Sequence, residues 1–430
     1  MKIGADSASH LFPYIRSPES LIDETALSAM ASSASASRKT KDPAGVSTAG
    51  AAAPPSNANP GSAAKPAKPE DLAGLDRLRA QIDAINVKLV RLLNQRAKVA
   101  QAIGHLKQAG GAAIYQPARE RAVLDRVTAL NQGPLSGEHV RRVFVEIISA
   151  CTALEHPQRV AFLGPAYTYS HEAARARFGS SAEFVAEASI AGVFAALDTA
   201  RADYGVVPVE NSSEGSVTLT LDLLIDTPLV IIGEVLLPIR HALMSRAGDA
   251  AAIAVIYSHQ QSLGQCRNYL AANYPHCRLE ATASNTAAAE RAAAEPGAAA
   301  IASEAAAAPY GLRVIARNIQ DSARNTTRFL VIGHTPAGRT GSDKTTALFA
   351  VRDQVGALNQ ALNVFARNRI NISKIESRPA RSRPWEYLFF ADLQGHLEDA
   401  GLKRAIAALE RKTLFLKVLG SYPEGRPPAV

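Results

Sequence analysis

The sequence predicts three folds in succession along one chain: all-α, then α/β, then a short α+β segment. Three changes of pattern carry this reading. From residue 70 to about 157, apolar residues recur at three-four spacing. From 158 to 335, short apolar runs alternate with Gly/Ser/Thr loops and Ala-rich helices, the pattern of a mostly parallel sheet. Residues 344–423 read strand, helix, strand, strand, helix, strand, which is a ferredoxin-like order.

Residues 1–69 precede these modules. They are rich in Ala, Ser, Pro and Gly and lack an apolar period, so a disordered extension is expected there. Asp6, Glu19, Asp23 and Glu24 argue against a transit peptide. The helical module opens with a run from Glu70 to Gln108. Leu75, Leu78, Ile82, Ile85, Leu89, Leu92, Val99, Ile103 and Leu106 mark its apolar seam. Such a helix spans on the order of 50 Å, longer than a small domain is wide. It needs a partner, so an intertwined homo-oligomer, dimer or higher, is expected. Two shorter helices follow near Pro117–Leu130 and Gly137–Leu154.

The chain has 430 residues, a formal net charge of +8 and three cysteines, Cys151, Cys266 and Cys277. The cysteines lack metal-ligand spacing and are too few for a disulfide framework, so no metal is expected and a reducing cytoplasm is the default. No apolar run is long enough to span a bilayer, which argues against a membrane partner. The basic residues are dispersed, without an aromatic platform, which argues against nucleic acid and for small anionic ligands.

One residue breaks the apolar seam: Arg96 occupies the position after Leu92. A buried guanidinium is costly unless paired. Either Arg96 pairs with a carboxylate from another helix, or it clamps a dianion together with Lys107, roughly 16 Å along the same face. The segment from Leu78-Arg79 through Arg96, Gly104-His-Leu-Lys107 and Arg119-Glu120-Arg121 resembles the all-helical chorismate mutases. The resemblance implies that Arg79 of a partner subunit, Arg96, Lys107 and Arg119 bind carboxylates and the ether oxygen, and that Glu120 holds the substrate hydroxyl. Three positions depart from the familiar form. Gln116 stands for an Asp, Cys151 for a Ser, and Glu155 for a Gln that donates to the ether oxygen. A carboxylate donates only when protonated, so mutase activity is expected to decline as pH rises through the titration of Glu155.

In the α/β module, hydroxyls gather at strand ends: Thr168 and Ser170, Glu210-Asn211-Ser212, Ser258, Ser284-Asn285, and Asn325-Thr326-Thr327-Arg328-Phe329. Ligands of open α/β sheets lie at such carboxyl ends, although a lone Ser or Thr there is more often a helix cap. These motifs resemble prephenate dehydratase. The resemblance implies two α/β subdomains around a cleft, as in periplasmic binding proteins, with crossovers near Pro238 and after Tyr310. It makes Thr327 the essential hydroxyl, Arg328 a carboxylate anchor, and Glu210 an acid or polar orienter.

In the last module, Gly356-Ala357-Leu358 and Glu376-Ser377-Arg378-Pro379 resemble the phenylalanine-binding motifs of dehydratase ACT domains. Together the modules resemble the bifunctional chorismate mutase/prephenate dehydratase family. The expected ligands are chorismate, prephenate and L-phenylalanine as feedback inhibitor, with no cofactor. Removing residues 345–430 is expected to leave an active, Phe-insensitive enzyme. Two other readings are a dehydratase with a degenerate mutase module, and a non-catalytic amino-acid sensor.

Overall fold

The computed structural model describes residues 69–110, 116–246, 250–380 and 387–426. Residues 1–68 of the expected N-terminal extension lie outside them, and its last residue, Pro69, begins α1. The helical module is α1 (Pro69–Gly110), α2 (Pro117–Ala129) and α3 (Gly137–Glu155). Pro117 opens α2, where its missing N–H costs nothing, and Ser136 caps α3 by accepting from the His139 backbone N–H. The chain divides into two units inside α1, between Leu92 and Leu93. In both parts the seam of α1 is bare in the single chain: Leu78 is 58% exposed and Leu106 74%.

The α/β module follows as β1 (Arg159–Leu163), α4 (Tyr169–Phe178), β2 (Glu183–Glu187), α5 (Ile190–Asp198), β3 (Tyr204–Asn211), β4 (Gly215–Ser216), α6 (Thr218–Asp226) and β5 (Val230–Pro238). Next come β6 (Ala242–Ser245), β7 (Val255–His259), α7 (Gln260–Gln265), α8 (Arg267–Asn273), β8 (Arg278–Thr282), α9 (Asn285–Ala294), β9 (Ala298–Ala302), β10 (Arg313–Arg317) and β11 (Thr326–Gly333). They form two sheets, ordered β2-β1-β3-β11-β5 with β4 on β3, and β10-β6-β9-β7-β8. Both are mixed rather than mostly parallel. β1 runs parallel to β2 and β3, while β11 is antiparallel to β3 and β5 because it re-enters from the second subdomain. For the same reason β6 is antiparallel to β9 and β10.

The chain crosses between subdomains at Pro238–Ala242, and returns between Arg317 and Thr326, after β10 has joined the second sheet. The crossovers are hydrogen-bonded side by side: Ile239 N to Asn325 O at 2.8 Å, Ile319 N to His241 O at 3.1 Å, and His241 N to Gln320 Oε1 at 2.9 Å.

The tail module is β12 (Asp343–Ala350), α10 (Ala357–Arg367), β13 (Ile372–Pro379), β14 (Tyr387–Gln394), α11 (Ala400–Glu410) and β15 (Phe415–Pro423), with sheet order β13-β14-β12-β15. One face of this sheet holds α10 and α11 over Phe349, Phe365, Leu393 and Leu402. Its other face packs on the first α/β sheet, so Leu348, Phe390, Leu419 and Tyr422 share one core with Ile231 and Phe329. At Gly420 the backbones approach so closely that a Cβ would collide with the Ile231 carbonyl.

A buried ion cluster sits in this seam. Arg328 of β11 donates Nε–H to Glu234 Oε2 at 2.6 Å, Nη1–H to Asp392 Oδ2 at 2.6 Å and Nη2–H to the Tyr422 hydroxyl at 2.9 Å. Lys344 Nζ holds Glu234 from the other side at 2.9 Å, and Thr346 donates to Asp392 at 2.7 Å. Burial works against the Arg328 charge, but Tyr422, Asp392 and Glu234 outweigh it and raise its pKa well above the usual value. The shared core changes the expectation for truncation: removing residues 345–430 strips side chains from the core of the α/β module itself.

Arg328→Met leaves Asp392 buried without its cation and Glu234 with Lys344 alone. It is expected to cost about 3–5 kcal/mol of unfolding free energy. A denaturant midpoint unchanged from the parent would contradict this.

Candidate functional site

Strand alternation sorts the candidate residues. In the β3/β11 ladder Thr327 lies opposite Asn211, and Arg328 opposite Glu210. Successive side chains leave opposite faces of a sheet. Thr327 and Asn211 therefore face the crossovers between subdomains, while Arg328 and Glu210 face the tail module. Asn211 Nδ2 donates to Thr327 Oγ1 at 2.8 Å and to Asn325 Oδ1 at 2.9 Å. Asn211 Oδ1 in turn accepts from the backbone N–H groups of Ser213 and Glu214, at 2.9 and 3.2 Å. Ser212 ties the two strand ends together: its hydroxyl accepts from Thr326 N at 3.0 Å, and its own N–H reaches Thr326 O at 2.9 Å.

Two expected roles are corrected here. Arg328 does not face the cleft, and its guanidinium is committed to Glu234, Asp392 and Tyr422. Glu210 is bound by Lys374 of β13 at 2.9 Å, on the same rear face. Neither is placed to meet a ligand beside Thr327.

The other loop residues divide between caps and braces. Thr168 caps α4, accepting from His171 N and lying 3.1 Å from Leu163 O; Ser170, in the first turn, is 7% exposed. Ser284 caps α9. Asn285 Oδ1 gathers Ser258 Oγ at 3.1 Å, Ser262 Oγ at 3.0 Å and His259 N at 3.1 Å. Ser258 is fully buried and reaches Ile301 O at 2.7 Å, so it braces the loop from beneath rather than facing a ligand. Across the cleft, Ser303 donates to Glu172 at 2.7 Å.

In the helical module, Glu155 on α3 packs on Gly104 of α1, where an added Cβ would sit 2.8 Å from Glu155 Cγ. Arg96, Lys107 and Glu155 are half-buried, Cys151 is buried, and Gln116 and Arg119 are exposed at the start of α2. Arg79 is exposed and pairs with Asp76 at 3.3 Å. Glu120 departs from expectation. It turns toward the α/β module and accepts from Arg177 of α4 at 3.3 Å. Burial pushes its carboxyl pKa up, against the pull of Arg177 and Arg141.

The tail motifs also separate. Gly356 begins α10 with φ +80, a backbone that favours glycine, and Ala357 and Leu358 form the first turn. In β13, however, alternate residues face the α/β module: Glu376 bonds Ser216, and Arg378 donates to Asp222 at 2.9 Å. Ser377 and Pro379 face outward. Glu376 and Arg378 therefore dock the module, contrary to their expected effector contacts.

A cavity of about 1240 Å³ has Arg121, Arg141, Arg177, Tyr169 and His241 among its lining residues. Thr327 does not line it. His241 connects this cavity to the Thr327 pair through Gln265 and Asn325. Sequence reasoning missed His241 and Gln265, and named Asn325 only within its motif, without a role. Asn325 stood beside the hydroxyls and could have been singled out; a lone His and a lone Gln in separate segments carry no such signal.

Comparisons with known proteins agree with this order of modules. Family models match as chorismate mutase type II over residues 78–156, prephenate dehydratase over 160–337 and ACT domain over 345–411. A bifunctional chorismate mutase/prephenate dehydratase of Aquifex aeolicus (strain VF5) is 45% identical over 354 residues, covering 81% of this chain and 98% of that protein. The protein of the same description from Escherichia coli (strain K12) is 36% identical over 368 residues, covering 80% and 95%. Prephenate dehydratase from Arthrobacter aurescens, solved in complex with L-Phe, superposes with a TM-score of 0.58 at 33% identity, covering 63% of this chain and 92% of that one. The chain belongs to the bifunctional chorismate mutase/prephenate dehydratase family.

Proposed function

We propose that this chain rearranges chorismate to prephenate in its helical module, converts prephenate to phenylpyruvate in its α/β module, and is feedback-inhibited by L-phenylalanine through its tail, in phenylalanine biosynthesis. The observation that carries the reading is the hydroxyl of Thr327, held by Asn211 on the cleft side of the sheet within a chain of this family.

The first reaction is pericyclic. It needs no nucleophile, only orientation of the substrate and charge stabilisation at the breaking ether bond. Arg96, Lys107 and Arg119 supply the cations, Glu155 of α3 packs on Gly104 of the same module, and Arg79 comes from a second subunit. The bare apolar seam of α1 supports a homodimer built on that helix. In the second reaction the bond to the ring carboxylate breaks and its electron pair enters the ring. The ring C–O bond breaks with it, releasing carbon dioxide and hydroxide, which leaves as water once protonated. Thr327 is the proposed donor to that departing oxygen. The two α/β sheets with paired crossovers fit a periplasmic-binding-protein-like clamp, and the tail order fits a ferredoxin-like ACT domain. The work of the chain as a biosynthetic enzyme fits a cytoplasmic location.

Thr327→Ala is expected to abolish dehydration while leaving chorismate rearrangement intact, and Thr327→Ser to keep dehydration within about tenfold of the parent. Full dehydratase activity in Thr327→Ala would remove the assignment. Gly104→Val should push Glu155 out of place and slow rearrangement at least about tenfold, with dehydration untouched; an unchanged chorismate assay would refute it. At Gly356, where a Cβ meets nothing within 4 Å, the cost of a side chain is backbone strain alone. Gly356→Val is expected to weaken Phe inhibition by about tenfold or more with basal activity retained, read from the inhibitor midpoint.

A further inference from the structure

A continuous line of hydrogen bonds runs from the cavity wall to Thr327, and it crosses both strands of the hinge. Tyr169 OH lies 2.9 Å from His241 Nδ1. His241 Nε2 lies 2.9 Å from Gln265 Oε1, and Asn325 Nδ2 donates to the same oxygen at 3.0 Å. Asn325 Oδ1 accepts from Asn211 Nδ2, which also donates to Thr327 Oγ1. His241 sits in the outgoing crossover, Asn325 in the returning one, and Gln265 at the end of α7 in the second subdomain.

The line has one consistent direction. The two backbone N–H groups on Asn211 Oδ1 can only donate, so the Asn211 amide cannot turn over. Its Nδ2 must then face Asn325 Oδ1, which sets Asn325 Nδ2 toward Gln265 Oε1. Gln265 Nε2 is drawn the other way, to Glu214 Oε1 at 3.4 Å. The nitrogen of His241 that faces Gln265 must therefore carry the hydrogen. Burial pushes the His241 pKa down, against the Gln265 hydrogen bond, which favours the neutral ring; burial likewise pushes the Tyr169 phenol up. Nδ1 is then left as an acceptor facing the Tyr169 hydroxyl, whose single hydrogen is shared between it and the Arg240 carbonyl, also at 2.9 Å. At the far end, Thr327 Oγ1 receives a bond, and among the described residues no hydrogen bond is donated by its own O–H.

We propose that His241 is a positioning residue for dehydration. Its Nε2–H, acting through Gln265, keeps Asn325 Oδ1 turned toward the Asn211 amide, whose own orientation the backbone fixes, so that the pair holding Thr327 stays matched and the threonine proton is directed into the cleft. The proposal rests on Thr327 being the group that meets the leaving hydroxyl. If Nε2 lost its hydrogen, Gln265 would turn its amide to satisfy it and Asn325 would have to follow. The Asn325 nitrogen would then confront the fixed nitrogen of Asn211. The strain falls on the pair that holds Thr327, and small misplacement of a reacting group is costly.

The test is steady-state kinetics of the full-length protein with prephenate and, on the same preparations, with chorismate. His241→Gln keeps an N–H near the position of Nε2; His241→Asn is too short to reach Gln265; His241→Leu has volume but no donor. Asn325→Asp is isosteric and removes the next donor in the line. For His241→Asn, His241→Leu and Asn325→Asp, the dehydration kcat is expected to fall about 10²-fold with KM little changed and chorismate rearrangement unaffected. His241→Gln is expected to recover most of the kcat. Parental kcat in His241→Asn or His241→Leu overturns the proposal. So does an equal loss in His241→Gln and His241→Leu, or a loss confined to KM. If His241→Leu fails to fold, judged by its melting curve, Asn325→Asp still decides. Thr327→Ala separates the two levels: if it retains dehydration, the catalytic reading itself fails, whereas an inactive Thr327→Ala beside a fully active His241→Asn sinks only the role of His241.

Discussion

The arginine of β11 is the constraint around which the rest is arranged. Arg328 is one residue from the proposed catalytic hydroxyl, yet it serves the opposite face of the sheet. Its charge is tolerated there only because Glu234 comes from the neighbouring strand and Asp392 and Tyr422 come from the tail module. The ladder is thereby pinned from behind at the residue next to Thr327. Removing Asp392 would leave Arg328 short of a counter-charge, so the tail module is structural support for the α/β module as well as its candidate regulator. Gly420, pressed against Ile231, and Lys417, which donates to the carbonyls of Leu224, Ile225 and Thr227, complete the seam.

Much of the fold is legible in the sequence because its signals are local. The change from three-four spacing to short apolar runs marks the start of β1, and the six elements of the tail follow in their expected order. Sheet direction is less legible. That β11 returns antiparallel between β3 and β5 depends on a crossover whose far end lies many residues upstream, and no local pattern encodes it.

The site is legible as composition but not as geometry. The sequence shows that a hydroxyl and a guanidinium are neighbours at 327 and 328. Only the pairing with β3 shows that alternation sends Thr327 and Asn211 to one face and Arg328 and Glu210 to the other. The same rule divides Glu376 and Arg378 from Ser377 in β13. His241 and Gln265 could not be found by pattern at all, since their meaning comes from convergence across a hinge of residues far apart in the chain.

The seam between the two sheets also shapes how this chain can vary. A change near Gly356, the proposed effector turn, touches exposed backbone and leaves the α/β core undisturbed. A change at Lys374, Glu376 or Arg378 loosens the same module from Glu210, Ser216 and Asp222. Variants selected for escape from inhibition should therefore arrive by two routes. One costs local backbone strain alone; the other loosens the seam between modules, and is tolerated only in a background with stability to spare.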